Sequence, residues 1–386
     1  MSKKNATALF GGSFNPLTLA HLSVIKGLSE RFEKVIVVPT KISPFKIGVD
    51  KICDDDRLSL LKECVFSLEN VEVSDFELKR DGVSYTYITV SELKKNNVNL
   101  FLVMGTDNIE GLRGWKNIDE ILDKSAVYFV PRPGFPVTES DKEKLSSLNC
   151  RYEIADFIGA DGSSTLVPVA NAFGKLTSVV PEIVARYIED RHLYEQYFFV
   201  RKLYEKYNVK KSRVEHTYGV VKAVIILAGI YGADVKKAIL ASLLHDCGKY
   251  VTVADLEQNG FCFGDEAKRA LPPVEHCYTS EAIARYDLKI TDEEVLGAIR
   301  LHTTGDKNMT TLEKIVFCAD YVEEGRTTPG VEPIREKILF DLDGAMSDIL
   351  DATINYLKSK NAEIDARTLA CRDWLEKTIR KGEIKC

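Results

Sequence analysis

Four of the six histidines lie in the C-terminal half of the chain, and their order with two aspartates is typical of a metal site. The six candidate ligands are His216, His245, Asp246, His276, His302 and Asp320. Imidazole and carboxylate groups together suit a pair of divalent metal ions. Two ions held about 3.5–4 Å apart can activate water and stabilise negative charge on a phosphate under attack. The set therefore predicts a phosphohydrolase, whereas any one of these histidines alone is as readily a buried core residue.

The His245-Asp246 pair stands at the end of an apolar helical run, residues 238–244. Neighbouring residues on a helix point about 100° apart, so both can reach one metal only where the helix ends. Gly248 is a suitable stop at that point.

The remaining ligands divide between the two ions. We expect His216 and Asp320 to complete one metal site and His276 and His302 to complete the other, with Asp246 bridging them. Outer carboxylates usually orient metal-bound imidazoles. Glu215 and Glu275, each of which precedes a histidine, are the candidates for this role.

A second candidate site follows the first apolar run of the chain. Gly11 and Gly12 stand where a strand should turn into a helix, which is where backbone N–H groups and the helix dipole can hold a phosphate. A glycine pair alone usually marks only a turn. With Pro16 and His21 at this spacing, the segment predicts a nucleotide site that His21 also contacts.

Length and composition limit the kind of protein. The 386 residues indicate two domains, which we place at residues 1–194 and 195–386. A net charge of -6 argues against non-specific nucleic-acid binding, which depends on positive charge. Nine cysteines without a Cys-x-x-Cys pair indicate reduced thiols. No uncharged apolar stretch approaches the roughly 20 residues of a membrane span, so we expect a cytoplasmic protein without a membrane partner.

The two halves differ in their periodicity. Strand-like runs at residues 6–10, 35–39, 100–104 and 126–130 alternate with helical runs at 19–31 and 54–66. Such alternation predicts a Rossmann-like α/β domain with a parallel sheet. The second half predicts an all-α domain, with helices at residues 201–207, 214–231, 235–245, 280–286, 292–302, 311–319 and 332–358.

The C-terminal half resembles the HD superfamily, and more narrowly the HD-type symmetrical bis(5′-nucleosyl)-tetraphosphatases. The segments that carry the resemblance are HTYGV at 216–220, LLHDCGK at 243–249, EH at 275–276, AIRLHTTG at 298–305 and EKIVFCADYVEEGR at 313–326. The resemblance implies two metal ions, iron or alternatively manganese, and hydrolysis of diadenosine tetraphosphate to two ADP.

A tetraphosphate needs more positive charge than two ions supply. The candidate residues for binding it are Lys249, Thr303, Arg326 and Arg335, with Lys249 and Asp246 as catalytic residues. Each cation could instead be a solvated surface charge, and a smaller nucleotide is the alternative substrate.

The N-terminal half resembles the HxGH/TxGH nucleotidylyltransferases, and specifically bacterial nicotinate-nucleotide adenylyltransferase. The segments that carry this resemblance are GGSFNPLTLAH at 11–21, SPFK at 43–46, MGTDN at 104–108, PRPG at 131–134 and SST at 163–165. The implied reaction transfers AMP from ATP to nicotinate mononucleotide with Mg²⁺, and His21 is the catalytic candidate. The implied nucleotide-binding residues are Gly11, Gly12, Ser13, Phe14, Thr18, His21, Lys46, Gly105, Asp107, Trp115, Ser163, Ser164 and Thr165.

This half departs from the family pattern at five positions. They are Asn15 for the usual Asp, Thr18 for the first His, Ala20 for Gly, Phe45 for His, and Pro168 for an Arg. Losing that Arg removes a bidentate phosphate contact. Two readings follow: the domain adenylylates, or it is a nucleotide-sensing module that regulates the hydrolase.

Overall fold

The computed structural model describes residues 3–41, 52–132, 134–159 and 162–380. The chain divides into two compact units, Met1–Gln196 and Tyr197–Cys386. The division lies two residues beyond the boundary expected from the sequence.

Six parallel strands form the sheet of the first unit, in the order β3-β2-β1-β4-β5-β6. The strands are β1 Lys4–Gly12, β2 Phe32–Pro39, β3 Val71–Val73, β4 Leu100–Gly105, β5 Ala126–Val130 and β6 Tyr152–Ile154. The four longer strands each contain a continuous apolar run, because helices cover both faces of the sheet. The edge strands β3 and β6 were not predicted, since three residues are too short to show a period.

Alternate residues of these strands enter two separate cores. Ala8, Val35 and Val103 point into one core, while Leu9 and Ile36 point into the other. The helices of this unit are α1 Leu19–Arg31, α2 Asp54–Val65, α3 Thr86–Lys94, α4 Ile118–Lys124, α5 Glu139–Ser147, α6 Val167–Ala172 and α7 Glu182–Asp190. The predicted α/β fold with a parallel sheet is confirmed.

The second unit is helical throughout its described residues, as predicted. Its helices are α8 Phe199–Lys206, α9 Lys211–Tyr231, α10 Val235–Leu244, α11 Val253–Gln258, α12 Asp265–Lys268, α13 Glu275–Tyr286, α14 Glu293–Leu301, α15 Thr311–Val322, α16 Val331–Lys337, α17 Leu342–Ser359 and α18 Ala366–Arg380. Helices α9, α10, α13, α14 and α15 pack on one another. All six predicted metal ligands come from these five helices or the residues that directly follow them.

The single helix predicted at residues 332–358 is wrong, because the chain forms α16 and α17 with a break between them. Asp341 ends the break by accepting a hydrogen bond from the N–H of Gly344 at 2.8 Å, which caps α17. Phe340 lies in the break and is exposed. The apolar period continues across these residues, so the pattern alone does not reveal the cap.

Helix α9 is long and apolar enough to cross a membrane by length and composition. Half of its apolar window is buried within the unit, where α9 packs against α10 and α15. It also carries Arg213 and Lys222 within its length. These features are those of a core helix in an all-α unit, which passes the same test of length and composition as a membrane span.

Candidate metal centre and nucleotide site

The six predicted ligands lie at the places where their helices begin or end. His245 is the C-terminal cap of α10 and His302 that of α14, while His276 is the second residue of α13. His216 lies in the second turn of α9, and Asp320 lies near the end of α15. The structure thus brings all six to one place.

The first ligand cluster consists of His216, His245, Asp320 and atom Oδ2 of Asp246. His216 Nε2 lies 2.8 Å from Asp320 Oδ1, and His245 Nε2 lies 3.4 Å from Asp246 Oδ2. The two imidazole rings stand nearly edge to face, with centroids 5.5 Å apart. The ligand atoms of His216, His245 and Asp246 all lie within 4.8 Å of one another, which is close enough to share one ion.

The second ligand cluster consists of His276, His302 and atom Oδ1 of Asp246. His276 Nε2 lies 3.0 Å from His302 Nε2 and 3.2 Å from Asp246 Oδ1. His302 Nε2 is 3.6 Å from the same carboxylate oxygen. Asp246 therefore offers one oxygen to each cluster, as a bridging carboxylate must. The buried thiol of Cys277 also lies within 4.8 Å of the two histidine nitrogens.

Hydrogen bonds from Nδ1 fix the direction of three of these imidazoles. His245 Nδ1 donates to the carbonyl of Ser242 at 2.6 Å, and His302 Nδ1 donates to that of Ile299 at 2.7 Å. His216 Nδ1 lies 3.1 Å from the carboxylate of Glu323. A histidine whose Nδ1 carries the hydrogen has its lone pair on Nε2. These bonds turn the basic nitrogens toward the centre.

Several buried atoms at the centre lack hydrogen-bond partners among the described residues. They are His216 Nε2, His245 Nε2 and Asp246 Oδ1. Although His216 Nε2 is 2.8 Å from Asp320 Oδ1, the pair lacks the geometry of a hydrogen bond. Buried polar atoms without partners are rare and usually have a ligand. Converging lone pairs from imidazoles and carboxylates fit divalent cations.

The charge states of two of the ligands, Asp246 and His245, suit metal binding. Burial alone would raise the pKa of the Asp246 carboxyl, but His245, His276 and His302 hold that pKa well below its usual range. Burial also lowers the pKa of His245, so its imidazole is neutral at pH 7. Metal ligands must be ionised carboxylates and neutral imidazoles.

The predicted nucleotide site lies at the carboxyl edge of the sheet, between two neighbouring strands. Gly12 ends β1 and Gly105 ends β4, and these two strands are adjacent although five elements separate them in sequence. The sheet order therefore reverses direction here. In open parallel sheets, ligands bind in the crevice at such a switch point.

Hydrogen bonds organise the loop after β1. The N–H of Thr18 donates to His21 Nδ1 at 3.1 Å, and the Thr18 hydroxyl lies 2.9 Å from the same nitrogen. Because a backbone N–H can only donate, Nδ1 accepts, and a neutral His21 carries its hydrogen on Nε2. The Ser164 hydroxyl donates to the carbonyl of Pro16 at 3.3 Å, which joins the segment at 163–165 to this loop.

Profiles of two known families match the chain. The cytidylyltransferase-like family matches residues 9–153, and the HD domain family matches residues 213–325. A symmetrical bis(5′-nucleosyl)-tetraphosphatase of Halalkalibacterium halodurans is 41% identical over 43% of this chain and 89% of its own length. A probable nicotinate-nucleotide adenylyltransferase of Aliarcobacter butzleri is 35% identical over 42% of this chain and 84% of its own length.

The second unit therefore belongs to the symmetrical bis(5′-nucleosyl)-tetraphosphatase family, and the first to the nicotinate-nucleotide adenylyltransferase family. The same pairing occurs in a Mycoplasma genitalium protein named probable nicotinate-nucleotide adenylyltransferase/Ap4A hydrolase. That protein is 27% identical over 84% of this chain and 89% of its own length.

In the tetraphosphatase unit, three of the four predicted substrate-binding residues contact the metal ligands. Lys249 Nζ lies 2.8 Å from His276 Nε2 and 3.5 Å from Asp246 Oδ1. The Thr303 hydroxyl lies 3.3 Å from His276 Nε2, and the Arg326 guanidinium lies 2.9 Å from Asp320 Oδ1.

Arg335 is placed differently from the other three. Its guanidinium donates to the carbonyls of Val322, Glu323 and Arg326 at 2.6–2.7 Å. These bonds hold the turn after α15, so the donors that would bind a phosphate are already engaged with the backbone.

Sequence reasoning missed Cys277 of the second ligand cluster and two charged residues at this centre. Arg213 Nη1 lies 2.9 Å from Asp246 Oδ2, and Glu323 faces His216. Arg213 precedes His216 by three positions on α9, a spacing that places both on one side of a helix and could have indicated it. The expected orienting role of Glu275 is wrong, because its carboxylate accepts from the N–H of Val253 at 2.7 Å. Glu215 is exposed.

In the adenylyltransferase unit, three of the residues that depart from the family pattern fit their surroundings. Asn15 Oδ1 accepts from the N–H of Ile52 and from the Tyr194 hydroxyl, both at 3.0 Å. An added Cβ at Gly162 would lie 3.4 Å from that of Ala20, so the extra methyl of Ala20 lies beside a glycine. Pro168 is buried in the first turn of α6, where its missing N–H costs little.

Four of the other predicted nucleotide-binding residues make contacts within this unit. Asp107 forms an ion pair with Arg132 at 2.9 Å, and Trp115 packs at the edge of the second core. The hydroxyl of Ser163 accepts from the N–H of Thr165 at 3.2 Å. Phe14 is buried and meets His21 edge to face. Lys46 and Phe45 lie outside the described residues.

Proposed function

We propose that the second unit hydrolyses diadenosine tetraphosphate symmetrically, giving two molecules of ADP. The observation that carries the proposal is the position of Asp246, which turns one carboxylate oxygen toward each of two ligand clusters. The 41% identity to a symmetrical tetraphosphatase supports this substrate over other nucleotides.

The six ligands would hold two divalent ions, for which we propose iron, with manganese as the alternative. Bound there, such ions would lower the pKa of water and neutralise phosphate oxygens. His216, His245 and Asp320 would hold one ion, His276 and His302 the other, and Asp246 both. Four imidazoles and two carboxylates suit iron or manganese better than calcium or magnesium, which prefer ligand sets made of oxygen.

Cationic side chains around the centre would bind the remainder of the polyphosphate. Arg213, Lys249 and Arg326 each lie within 3.5 Å of a ligand carboxylate and are partly exposed. Once bound ions neutralise those carboxylates, these cations would be available for phosphate oxygens, which guanidinium groups bind through two donors. The Thr303 hydroxyl offers a further hydrogen bond.

The proposal is tested with purified full-length protein, Fe²⁺ or Mn²⁺, and diadenosine tetraphosphate. ADP as the only nucleotide product is expected. AMP together with ATP would refute symmetrical cleavage. A panel of nucleoside mono-, di- and triphosphates, followed by phosphate release, tests the alternative: faster turnover of one of these would assign the centre to a smaller substrate.

For the first unit we propose adenylyl transfer from ATP to nicotinate mononucleotide, assisted by Mg²⁺. The observation that favours this activity is the tautomer of His21, whose Nε2–H is a donor suited to a phosphate oxygen. The segment at 163–165 is bonded to the same loop, and the switch point supplies the crevice. The nucleotide-sensing alternative predicts binding of ATP by calorimetry without release of pyrophosphate.

We place both reactions in the cytoplasm. The eight cysteines within the described part of the chain are all unpaired, as in a reducing compartment.

A further inference from the structure

Glu323 is a buried carboxylate that immediately follows helix α15. It is 4% exposed and lies three positions after Asp320. Its Oε1 atom is 3.1 Å from His216 Nδ1, and its Oε2 atom accepts a hydrogen bond from the N–H of Gly325 at 2.6 Å. Burying a carboxylate costs free energy unless its oxygens are paired. These two contacts supply that pairing and fix the position of the side chain.

We propose that Glu323 is a positioning residue that orients His216 toward the metal ion of the first ligand cluster. By accepting the Nδ1 hydrogen, it leaves the lone pair of His216 on Nε2, the atom that lies 2.8 Å from Asp320 Oδ1. An imidazole that donates to a carboxylate is also a stronger base and a better metal ligand. This inference rests on the metal centre of the proposed function.

Gly219 supports this role from a different direction. It lies in the interior of α9, three positions after His216, where a glycine weakens a helix. A Cβ atom at this position would lie 2.4 Å from Glu323 Oε2 and 3.2 Å from its Cδ. The missing side chain therefore makes the space in which Glu323 reaches His216.

The turn that contains Glu323 has a second anchor. Arg335 donates to the carbonyls of Val322, Glu323 and Arg326, so the backbone there is held independently of the Glu323 side chain. A role limited to anchoring the turn would duplicate these bonds. The hydrogen bonds of Arg335 cannot replace the contact between the Glu323 carboxylate and His216.

The substitution Glu323→Gln separates the two roles because it keeps size and shape. Its NH₂ group must face either His216 Nδ1 or the N–H of Gly325, and the latter is a donor. Facing His216, the amide would favour hydrogen on Nε2, the wrong tautomer for a ligand. Gly219→Ala displaces the carboxylate without altering its chemistry. Gly229→Ala is the matched control, since Gly229 lies on the same helix and an added Cβ there meets nothing within 4 Å.

The experiment is a titration of metal-free full-length proteins with Co²⁺ or Mn²⁺ in competition with a chromophoric chelator. We expect two bound ions in the wild type. In Glu323→Gln, one binding step should weaken about 10- to 100-fold while the other changes little. Gly219→Ala should weaken the same step, and Gly229→Ala should match the wild type. The thermal midpoint of each metal-free protein is measured alongside.

Three outcomes would overturn the proposal. Wild-type affinity for both ions in folded Glu323→Gln and Gly219→Ala would show that His216 needs no orienting carboxylate. Equal weakening of both steps, with a lower midpoint of the metal-free protein, would assign Glu323 a structural role. A wild-type protein that takes up no ion would overturn this inference together with the metal centre, and that failure is recognised before any variant is compared.

Discussion

The guanidinium of Arg213 and the carboxylate of Asp246 form an ion pair of 2.9 Å at the oxygen that faces the first ligand cluster. Arg213 is a quarter exposed, whereas Asp246 is almost fully buried. Asp246 thus lies inside the metal centre, whereas Arg213 lies at its solvent-facing edge. A cation in this position can hold the bridging carboxylate and also meet an incoming phosphate.

Arg213→Ala is expected to lower kcat/KM for diadenosine tetraphosphate about 10- to 100-fold, since a hydrogen bond to a charged group is worth about 1.5–3 kcal/mol. Arg213→Lys should recover only part of this loss, because an ammonium lacks the two-donor geometry. Steady-state kinetics and metal content are measured together. Arg269→Ala, at an exposed ion pair with Asp265, is the control. Unchanged kcat/KM in Arg213→Ala would remove Arg213 from substrate binding.

Asp246→Ala is expected to abolish hydrolysis, because the substitution removes a ligand from both clusters. A loss of about 4 kcal/mol of transition-state stabilisation corresponds to a roughly thousand-fold lower rate. ADP formation is followed by chromatography. Asp348→Ala, at a surface ion pair with Lys337, should retain full activity. Residual activity of Asp246→Ala within tenfold of the wild type would contradict a bridging role.

Removal of metal should destabilise the second unit. Each ion present at a hundred times its dissociation constant stabilises the folded state by about 2.7 kcal/mol. We expect a chelator to lower the thermal midpoint of the wild type and Mn²⁺ to restore it. Asp246→Ala serves as the control, since its midpoint should respond little to either treatment. Equal shifts in both proteins would indicate a chelator effect unrelated to the centre.

The six ligands were accessible to sequence reasoning because their types are rare and their order is fixed along the chain. Arg213 and Glu323 were not singled out, since charged residues near helix ends are common, and the packing shows that these two turn inward. The break at residues 338–341 was hidden for a related reason: the apolar period of α16 and α17 continues through it. Glu275 shows the converse, because proximity in sequence to His276 did not determine the direction of its side chain.

An ion pair away from the centre should make stability depend on pH. Lys206, the last residue of α8, and Tyr207, which follows that helix, both donate to Asp287, which follows α13. Burial alone would raise the pKa of Asp287, but these two donors lower that pKa below its ordinary value. Because the folded pKa lies below the unfolded one, the stabilisation is complete above the unfolded pKa of about 3.9 and is lost as pH falls through the folded pKa.

Asp287→Asn should therefore lower the free energy of unfolding by about 1 kcal/mol at pH 7, and the difference from the wild type should shrink below about pH 4. Urea unfolding at several pH values measures this difference in the free energy of unfolding. Asp265→Asn, at an exposed ion pair, is the control and should show little difference at any pH. A difference for Asp287→Asn that stays constant down to pH 2 would show that ionisation of the carboxylate is not its source.

His21 provides the test of the first unit. Since Thr18 fixes its hydrogen on Nε2, replacing the ring removes a donor suited to a phosphate oxygen, so His21→Ala should lower deamido-NAD synthesis about 100-fold. Thr18→Ala keeps the backbone N–H bond to Nδ1 and should cost less. His192→Ala, an exposed histidine of the same unit, is the control.

Pyrophosphate release from ATP and nicotinate mononucleotide is the measurement for all three variants. Wild-type turnover that disappears in His21→Ala but persists in His192→Ala would establish transfer chemistry at the switch point, because only the oriented imidazole distinguishes these proteins. If the wild type instead binds ATP and releases no pyrophosphate, the preserved Thr18–His21 bond would serve binding alone. The unit would then be a nucleotide sensor despite its fold, since a fold does not by itself specify an activity.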